Sequence, residues 1–468
     1  MATRILGIDI GSIKICAAMA EMDDDEKVKI IAIASAESKG LKKGSITHIE
    51  YAAESIRKAV DDVKRVAGTG FDKVVVSISG KDVKNIDCKD IINIPDKEVN
   101  LKQIERAIKG AEFKVKVPSD YEIIHTLPYN FKIDSQDNIE DPLGMNGERL
   151  EVEAHMVAVQ KSAITNLRKA VERAGLKADN VVLASYASAI ATLNKDERDM
   201  GAILIDMGGA TCDIAIHSGN SVRYTDFLAV GSWNITNDLS QQLHTPIADA
   251  EDVKIKFGTL RRQGSEVVTL PILGEESETC EKSMNLVIDI IYARVDETLR
   301  YLAKKLSESG YVDLAAAGVV LTGGMTKLDG IRDLAVAIFA QIGKNVRVAK
   351  PMELEGLVEA YKDQAYSCAI GLCLYGAGRF TPYEIDSERE LRYKGEPVTV
   401  KTTSFVNADL SFTNQEEIKF ENTEPKELIF NELDLKIEGS SNEPKQPKER
   451  KLNVSWLTKF WNWIKDLF

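Results

Sequence analysis

The stretch GAILIDMGGATCDIAIH, residues 201–217, reads as a strand, a glycine turn and a return strand, with Asp206 just before Gly208-Gly209 and Asp213 on the way back. RILGIDIGSIKICAAMAE, residues 4–21, repeats the design. There Leu6, Ile8 and Ile10 share one strand face, and Gly7, Asp9 and Gly11 share the other. The chain turns at Gly11-Ser12, then Ile13, Ile15 and Ala17 resume the alternation. Asp9 and Asp206 are 197 residues apart, and a hairpin duplicated at that distance predicts two similar domains facing each other rather than a solenoid. Glycine turns aim backbone N–H groups at anionic oxygens, and adjacent carboxylates hold Mg²⁺ through water. Either hairpin alone reads more readily as an ordinary tight turn; the pair predicts a phosphate site.

Two further pieces fit the same site. AGVVLTGGMTKLDGI (317–331) is a buried strand, a Gly-Gly turn and a helix start, the form of a loop running under a ribose and α-phosphate. GSWNITNDLSQQLHTPIADAEDVKIKFG (231–258) places Glu251 and Lys254 on one helical face. That spacing is read two ways, as a nucleotide contact or as an i,i+3 surface ion pair.

Composition narrows the function classes. The 468 residues exceed one ordinary core. A net charge of −13 argues against a nucleic-acid binder. MATRILGIDIGS meets Asp9 before a signal-peptide h-region can form, and no apolar run reaches the roughly 18–20 residues of a spanning helix, so a cytosolic chain is expected. The six cysteines (16, 88, 212, 280, 368, 373) show no CxxC pair, and the five histidines no metal spacing, so reduced thiols are expected rather than zinc or Cys/His chemistry.

In order and spacing these elements resemble the actin-like ATPase superfamily: a first phosphate loop at 5–15, a first connecting helix at 183–193, a second phosphate loop at 202–217, an adenosine loop at 319–331 and a second connecting helix at 365–376. Within it the chain most resembles the FtsA family of bacterial cell-division actins, through GSITHIEYAAESIRKAV (44–60), VVVSISG (74–80), NKDERDMGAILIDMGGATCDIAI (194–216) and YARVDETL (292–299). The resemblance implies an α/β actin-like fold with two RNase-H-like domains around a nucleotide cleft. Subdomain IA would be 1–83 with 166–199 and 365–385, and an FtsA-type IC subdomain would be 84–165. IIA would be 200–230 with 303–364, IIB would be 231–302, and a linker would fill 386–451. ATP and Mg²⁺ are the implied ligands. Asp9 and Asp206 would set the metal's water shell. Gly11, Ser12, Gly208, Gly209 and Thr211 would line the phosphates, with Lys14 nearby. Gly231, Glu251, Lys254, Gly323, Gly324 and Met325 would hold base and ribose.

Two departures from the family pattern matter. Ala210 replaces the third glycine of the second loop, which a methyl group tolerates only at φ < 0. Ala184 stands where polymerising relatives carry a Gln or Glu that orients the attacking water, and alanine can neither orient nor deprotonate it. Tight binding with slow turnover is therefore expected, with Asp213 the acid left to assist. The family also implies that the FtsZ C-terminal peptide docks on IIB, with Arg294 as candidate contact or as a plain solvated charge. It implies self-association into filaments and recruitment of other division proteins. Competing readings are a pilus-assembly actin homologue and a small-molecule kinase; the latter needs a cleft acid to deprotonate a hydroxyl, and the sequence identifies none.

The C-terminus has its own physics. Residues 381–451 hold five of the twelve prolines, and EGSSNEPKQPKERK (438–451) reads as flexible linker. Within the expected amphipathic helix 452–468, the fifteen residues 454–468 divide cleanly: Val454, Trp456, Leu457, Phe460, Trp461, Trp463, Ile464, Leu467 and Phe468 fall on one half of a helical wheel, while Ser455, Thr458, Lys459, Asn462, Lys465 and Asp466 fall on the other. Such a helix of roughly 22 Å is too short to span a bilayer of about 30 Å but suits its interface. The last 24 residues carry +4 against −17 for the remainder, which favours anionic lipids. Docking on the protein's own core is the competing reading. The expected location is the cytoplasmic face of the cell membrane, peripheral, at the division site.

Overall fold

The structure, a computed structural model, describes residues 2–262, 264 and 266–393. Most of the expected linker and the whole amphipathic helix, with Trp456, Leu457, Phe460, Trp461, Trp463, Ile464, Leu467 and Phe468, lie outside the described residues.

β1 (Thr3–Ile10), β2 (Lys14–Met22) and β3 (Val28–Glu37) form an antiparallel meander, α1 (Ile49–Ala67) covers it, and β4 (Lys73–Ile78) runs parallel beside β1. The chain then builds a separate sheet from β5 (Val83–Asn93), β6 (Tyr121–Ile133) and β7 (Arg149–Gln160), with α2 (Leu101–Lys114) against it. α3 (Lys161–Arg173) returns it to the first sheet, where β8 (Asn180–Leu183) pairs with β4. After α4 (Ala184–Thr192) the first pattern recurs as β9 (Ala202–Met207), β10 (Cys212–Ser218) and β11 (Ser221–Leu228). Three helices follow, α5 (Ser232–Leu243), α6 (Ile247–Phe257) and α7 (Met284–Ser309). β12 (Val319–Thr322) lies parallel to β9, and after α8 (Ile331–Phe339) β13 (Val346–Val348) lies parallel to β12. α9 (Ser367–Gly376), β14 (Glu384–Ile385) and β15 (Leu391–Arg392) close the described chain.

The two main sheets have the same topology, β3-β2-β1-β4-β8 and β11-β10-β9-β12-β13, so the duplication read from two hairpins extends to five strands each. In β1 both strand faces are covered: the glycine face lies under α9, where a Cβ on Gly7 would stand 2.7 Å from the Ala369 carbonyl oxygen. Helices α4 and α9 pack backbone to backbone, because Gly371 leaves no room for a Cβ, which would fall 1.8 Å from the Ala187 carbonyl oxygen. α1 presents Ala52, Ile56, Ala59, Val60 and Val63 to the core at helical spacing. α2 starts on a capping box, Asn100 with Gln103, and buries Ile104, Ala107, Ile108 and Ala111.

Residues 384–393 depart from the expected division, which gave 365–385 to the first domain and began the linker at 386. β14 pairs with β6 and β15 with β14, so both belong to the separate sheet, in the order β15-β14-β6-β7-β5. The cause is a buried polar network that composition does not reveal. Glu384 is fully buried and accepts from Tyr375 Oη at 2.8 Å and Tyr186 Oη at 3.0 Å, with His125 Nδ1 at 2.6 Å. The Leu183 N–H donates to His125 Nε2 at 3.1 Å, which leaves the ring's proton on Nδ1 to face Glu384. Stripping one partner from such a buried set costs about 3–5 kcal/mol, enough to hold a two-residue strand in place.

Candidate functional site

In each sheet the central strand ends where its neighbours change from antiparallel to parallel, the usual place for a ligand crevice. β1 delivers Asp9 and the turn Gly11-Ser12; β9 delivers Asp206 and the turn Gly208–Thr211. The two turns meet: a Cβ on Gly209 would lie 2.2 Å from Ile13 Cγ1. The second turn is closed by the Gly208 N–H donating to the Thr211 carbonyl at 2.8 Å. It sits on the start of α5, where Ser232 N–H donates to the Gly208 carbonyl at 3.1 Å and Trp233 N–H to that of Gly209 at 2.7 Å. Gly231 permits this contact, since a Cβ there would be 2.5 Å from the Gly209 carbonyl carbon. Gly323 closes the site from β12 at φ 91°, with space for a Cβ blocked by Asp206 Oδ1 at 2.3 Å. Ala210 is not among the residues with positive φ, so its methyl group fits.

Three carboxylates converge, each held by a serine. Ser77 Oγ donates to Asp9 Oδ1 at 3.0 Å, Ser188 Oγ to Asp206 Oδ2 at 2.5 Å, and Ser79 Oγ to Asp213 Oδ1 at 2.5 Å. Burial pushes the Asp206 carboxyl up to about 7, with the negative charges of Asp213 and Asp9 adding to it and the Ser188 bond opposing. Burial likewise raises Asp213 to about 6, against the Ser79 and Thr211 hydroxyls. Asp9 is raised by burial, with Lys14 and the hydrogen bonds of Cys368 and Ser77 opposing. Among the described residues no cluster of three His, Cys, Asp or Glu side chains is placed to hold a metal directly. Mutually repelling buried acids beside N–H-lined turns nevertheless suit a cation carried in with an anionic ligand.

A raised carboxyl is protonated in the folded chain at pH values where the unfolded chain has already lost the proton, so stability falls as pH rises through the folded value. His217, lowered to about 3 by burial, works the other way below its ordinary value. Comparison with Asp206→Asn isolates the acid. The Asn variant is expected to gain on the ligand-free wild type between pH 5 and 8, by on the order of 3 kcal/mol at the upper end. Urea unfolding of both proteins at the two pH values measures it, and a constant difference contradicts the raised carboxyl.

The other expected site residues fall in distinct places. Lys14 Nζ donates to the Ala365 carbonyl at 2.6 Å and lies 4.3 Å from the Tyr366 ring centroid. Ser12 Oγ accepts the Gly44 N–H at 2.8 Å, and a Cβ on Gly324 would touch Ala365 Cβ at an ordinary 3.7 Å. The Met325 side chain is buried in the second core, so only its backbone borders the crevice. Glu251 and Lys254 of α6 are paired at 2.7 Å, the lysine buried and also donating to Thr236 Oγ1 of α5 at 2.9 Å while the Glu251 side chain is 30% exposed, so the pair is half-buried against α5 rather than a fully solvated one. Arg294, on α7, is held bidentately by Asp238 at 2.6 and 3.0 Å and by Glu297 at 2.5 Å, so it is not a free solvated charge. Sequence reading missed Ser77, Ser79 and Ser188. The signals were there: Ser77 and Ser79 share a strand face in VVVSISG, and Ser188 lies one helical turn beyond Ala184.

Comparison with known proteins decides the family. A model described as "Cell division protein FtsA" matches residues 203–371, and one described as "SHS2 domain inserted in FTSA" matches 80–158. The cell division protein FtsA of Helicobacter pylori strain J99 is 38% identical over 422 residues, covering 83% of this chain and 85% of that protein. The chain belongs to the FtsA family. FtsA of Pseudomonas aeruginosa is 35% identical over 80% of this chain and 89% of its own length, and FtsA of Escherichia coli K12 is 30% identical over 83% and 93%. Among solved structures, a chain of a "PilM-PilN type IV pilus biogenesis complex" superposes with a TM-score of 0.57 at 19% identity, covering 80% of this chain and 98% of that one, a likeness of fold. The FtsA-family chain thus has the expected actin-like ATPase fold, with the SHS2 match falling on the separate sheet of β5–β7.

Proposed function

We propose that this FtsA-family protein is an ATP-binding scaffold that anchors FtsZ polymers to the cytoplasmic face of the cell membrane at the division site and helps recruit other division proteins. The carrying observation is the meeting of the two glycine turns, Ile13 against Gly209, with Asp9, Asp206 and Asp213 gathered behind them. In this reading Gly11, Ser12, Gly208, Gly209 and Thr211 receive the phosphates, and Lys14 leaves the Ala365 carbonyl to meet them. Asp9 and Asp206 orient the waters of Mg²⁺, which when bound neutralises phosphate charge. Gly231, Glu251, Lys254, Gly323, Gly324 and the Met325 backbone flank base and ribose. Ala184, buried at the start of α4, offers no group to align a water, so ATP serves as a structural ligand and turns over slowly, with Asp213 the assisting acid. Calorimetry with Mg²⁺ and ATP is expected to give micromolar or tighter binding, and phosphate release well below about one per second. No binding, or turnover of many per second, contradicts the reading.

The division into IA (1–83, 166–199, 365–383), IC (84–165, joined by 384–393), IIA (200–230, 303–364) and IIB (231–302) is the working frame for the partner surfaces. Self-association into filaments belongs to it, as does docking of the FtsZ C-terminal peptide on IIB. For Arg294 to contact that acidic peptide, the peptide's carboxylates must exchange with Asp238 and Glu297. Arg294→Gln is therefore expected to weaken the peptide about tenfold in a fluorescence titration; unchanged affinity removes Arg294 from the surface.

A further inference from the structure

Ser79 stands just past β4, where the chain leaves the first sheet for the inserted one. Its partner Asp213 lies on β10 of the second sheet, so the 2.5 Å bond between them crosses from one half of the fold to the other. Asp213 is register-paired with Asp206, and directly opposed residues of an antiparallel pair point to the same face. It therefore stands beside the acid that closes the crevice.

The bond is the middle of a continuous chain. On the first-half side, the Ser79 carbonyl oxygen is packed on Gly44, where a Cβ would be 2.9 Å away, and the Gly44 N–H donates to Ser12 Oγ at 2.8 Å. On the second-half side, the other Asp213 oxygen accepts from Thr211 Oγ1 at 3.0 Å, and the Thr211 carbonyl accepts the Gly208 N–H. Ser12, Gly44, Ser79, Asp213, Thr211 and Gly208 thus connect one glycine turn to the other without passing through α4 or α9. Packing does not lock this route. A cavity of about 240 Å³, lined by Gly80, Lys81, Asn85, Asp213 and Thr225 among others, flanks the bond. The open space lies on the Asp213 side of the bond, so Asp213 has room to move once the Ser79 hydroxyl is lost.

We propose that Ser79 is a positioning residue: by holding Asp213 from across the crevice it fixes the spacing of the two glycine turns, and so sets the preference for a nucleoside triphosphate over a diphosphate. The inference rests on the nucleotide reading of the crevice. Spacing matters most to a ligand that touches both turns at once. The longer polyphosphate chain reaches both; the shorter one leaves part of the gap empty.

The experiment compares ATP and ADP affinities, each with Mg²⁺, for the full chain and for Ser79→Ala and Ser79→Thr. Ser79→Ala is expected to lower the ratio of ATP to ADP affinity about tenfold, the worth of one hydrogen bond to a charged group. Ser79→Thr, which keeps the hydroxyl, restores the ratio; a merely structural change would not track the hydroxyl in this way. A ratio unchanged in Ser79→Ala, or the same loss in Ser79→Thr, overturns the proposal while leaving the nucleotide reading standing. A wild-type chain that binds neither nucleotide overturns that reading, and the role of Ser79 with it.

Discussion

Mixed with vesicles of anionic phospholipid and centrifuged, the full chain is expected to pellet, and a chain ending at Lys451 to stay in the supernatant. The segment removed carries three of the four tryptophans, and the one left behind, Trp233, is at the start of α5. An interfacial helix is held by its apolar face plus about 1 kcal/mol for each basic residue near an anionic surface. Trp461→Asp puts a charge among the apolar residues of the expected helix and is expected to reduce pelleting by at least about tenfold. Raising salt should weaken only the electrostatic share. Equal pelleting by all three proteins would remove the membrane from the proposed function, and retention of the helix on the head would then be the better account. Partial loss in Trp461→Asp with complete loss on truncation would fit a face of many small contributions.

Gly231→Val is expected to abolish nucleotide binding in a chain that still folds. A Cβ at this position meets the Gly209 carbonyl carbon at 2.5 Å and the Ala210 nitrogen at 2.6 Å. Both are backbone atoms, so no side chain can swing aside. Either the second glycine turn lifts from α5, breaking the bonds from the Ser232 and Trp233 amides, or α5 shifts as a body. The turn loses its placement in both cases, and misplacement of about 1 Å is worth about a hundredfold at a preorganised site. The stability cost should be about 1–3 kcal/mol, as for other overpacked positions. Calorimetric titration gives the affinity, and circular dichroism with urea unfolding the fold. Binding within about threefold of wild type would mean that ligand does not need this turn where it stands.

The duplicated architecture was legible because it rests on short-range patterns. Strand alternation, a turn glycine and an acid before it occur twice, and each sets the end of a central strand. What escaped depends on partners far apart in sequence. Ser79 and Asp213 are 134 residues apart, and His125 and Glu384 are 259 apart, so no local window contains either pair. Met325 shows the converse. A residue next to a Gly-Gly turn looks like a ligand contact, yet its side chain belongs to the core, because a tight turn sends neighbouring side chains to opposite sides. Spacing left Lys254 as a nucleotide contact or one end of a surface pair, and its burial against α5 depends on Thr236, 18 residues away.

The two short strands at the end of the described chain have a mechanical consequence. Whatever pulls on the chain beyond residue 393 pulls first on β15, whose Arg392 grips Asp386 at 3.2 Å and Asn180 at 3.0 Å. The next anchor inward is Glu384, bonded to Tyr186 of α4, and α4 also carries the Ser188 hydroxyl that holds Asp206. Traction on the outgoing chain thus has a short, stiff load path to an acid of the crevice. The same strap that completes a sheet thus ties the end of the described chain to an acid of the crevice.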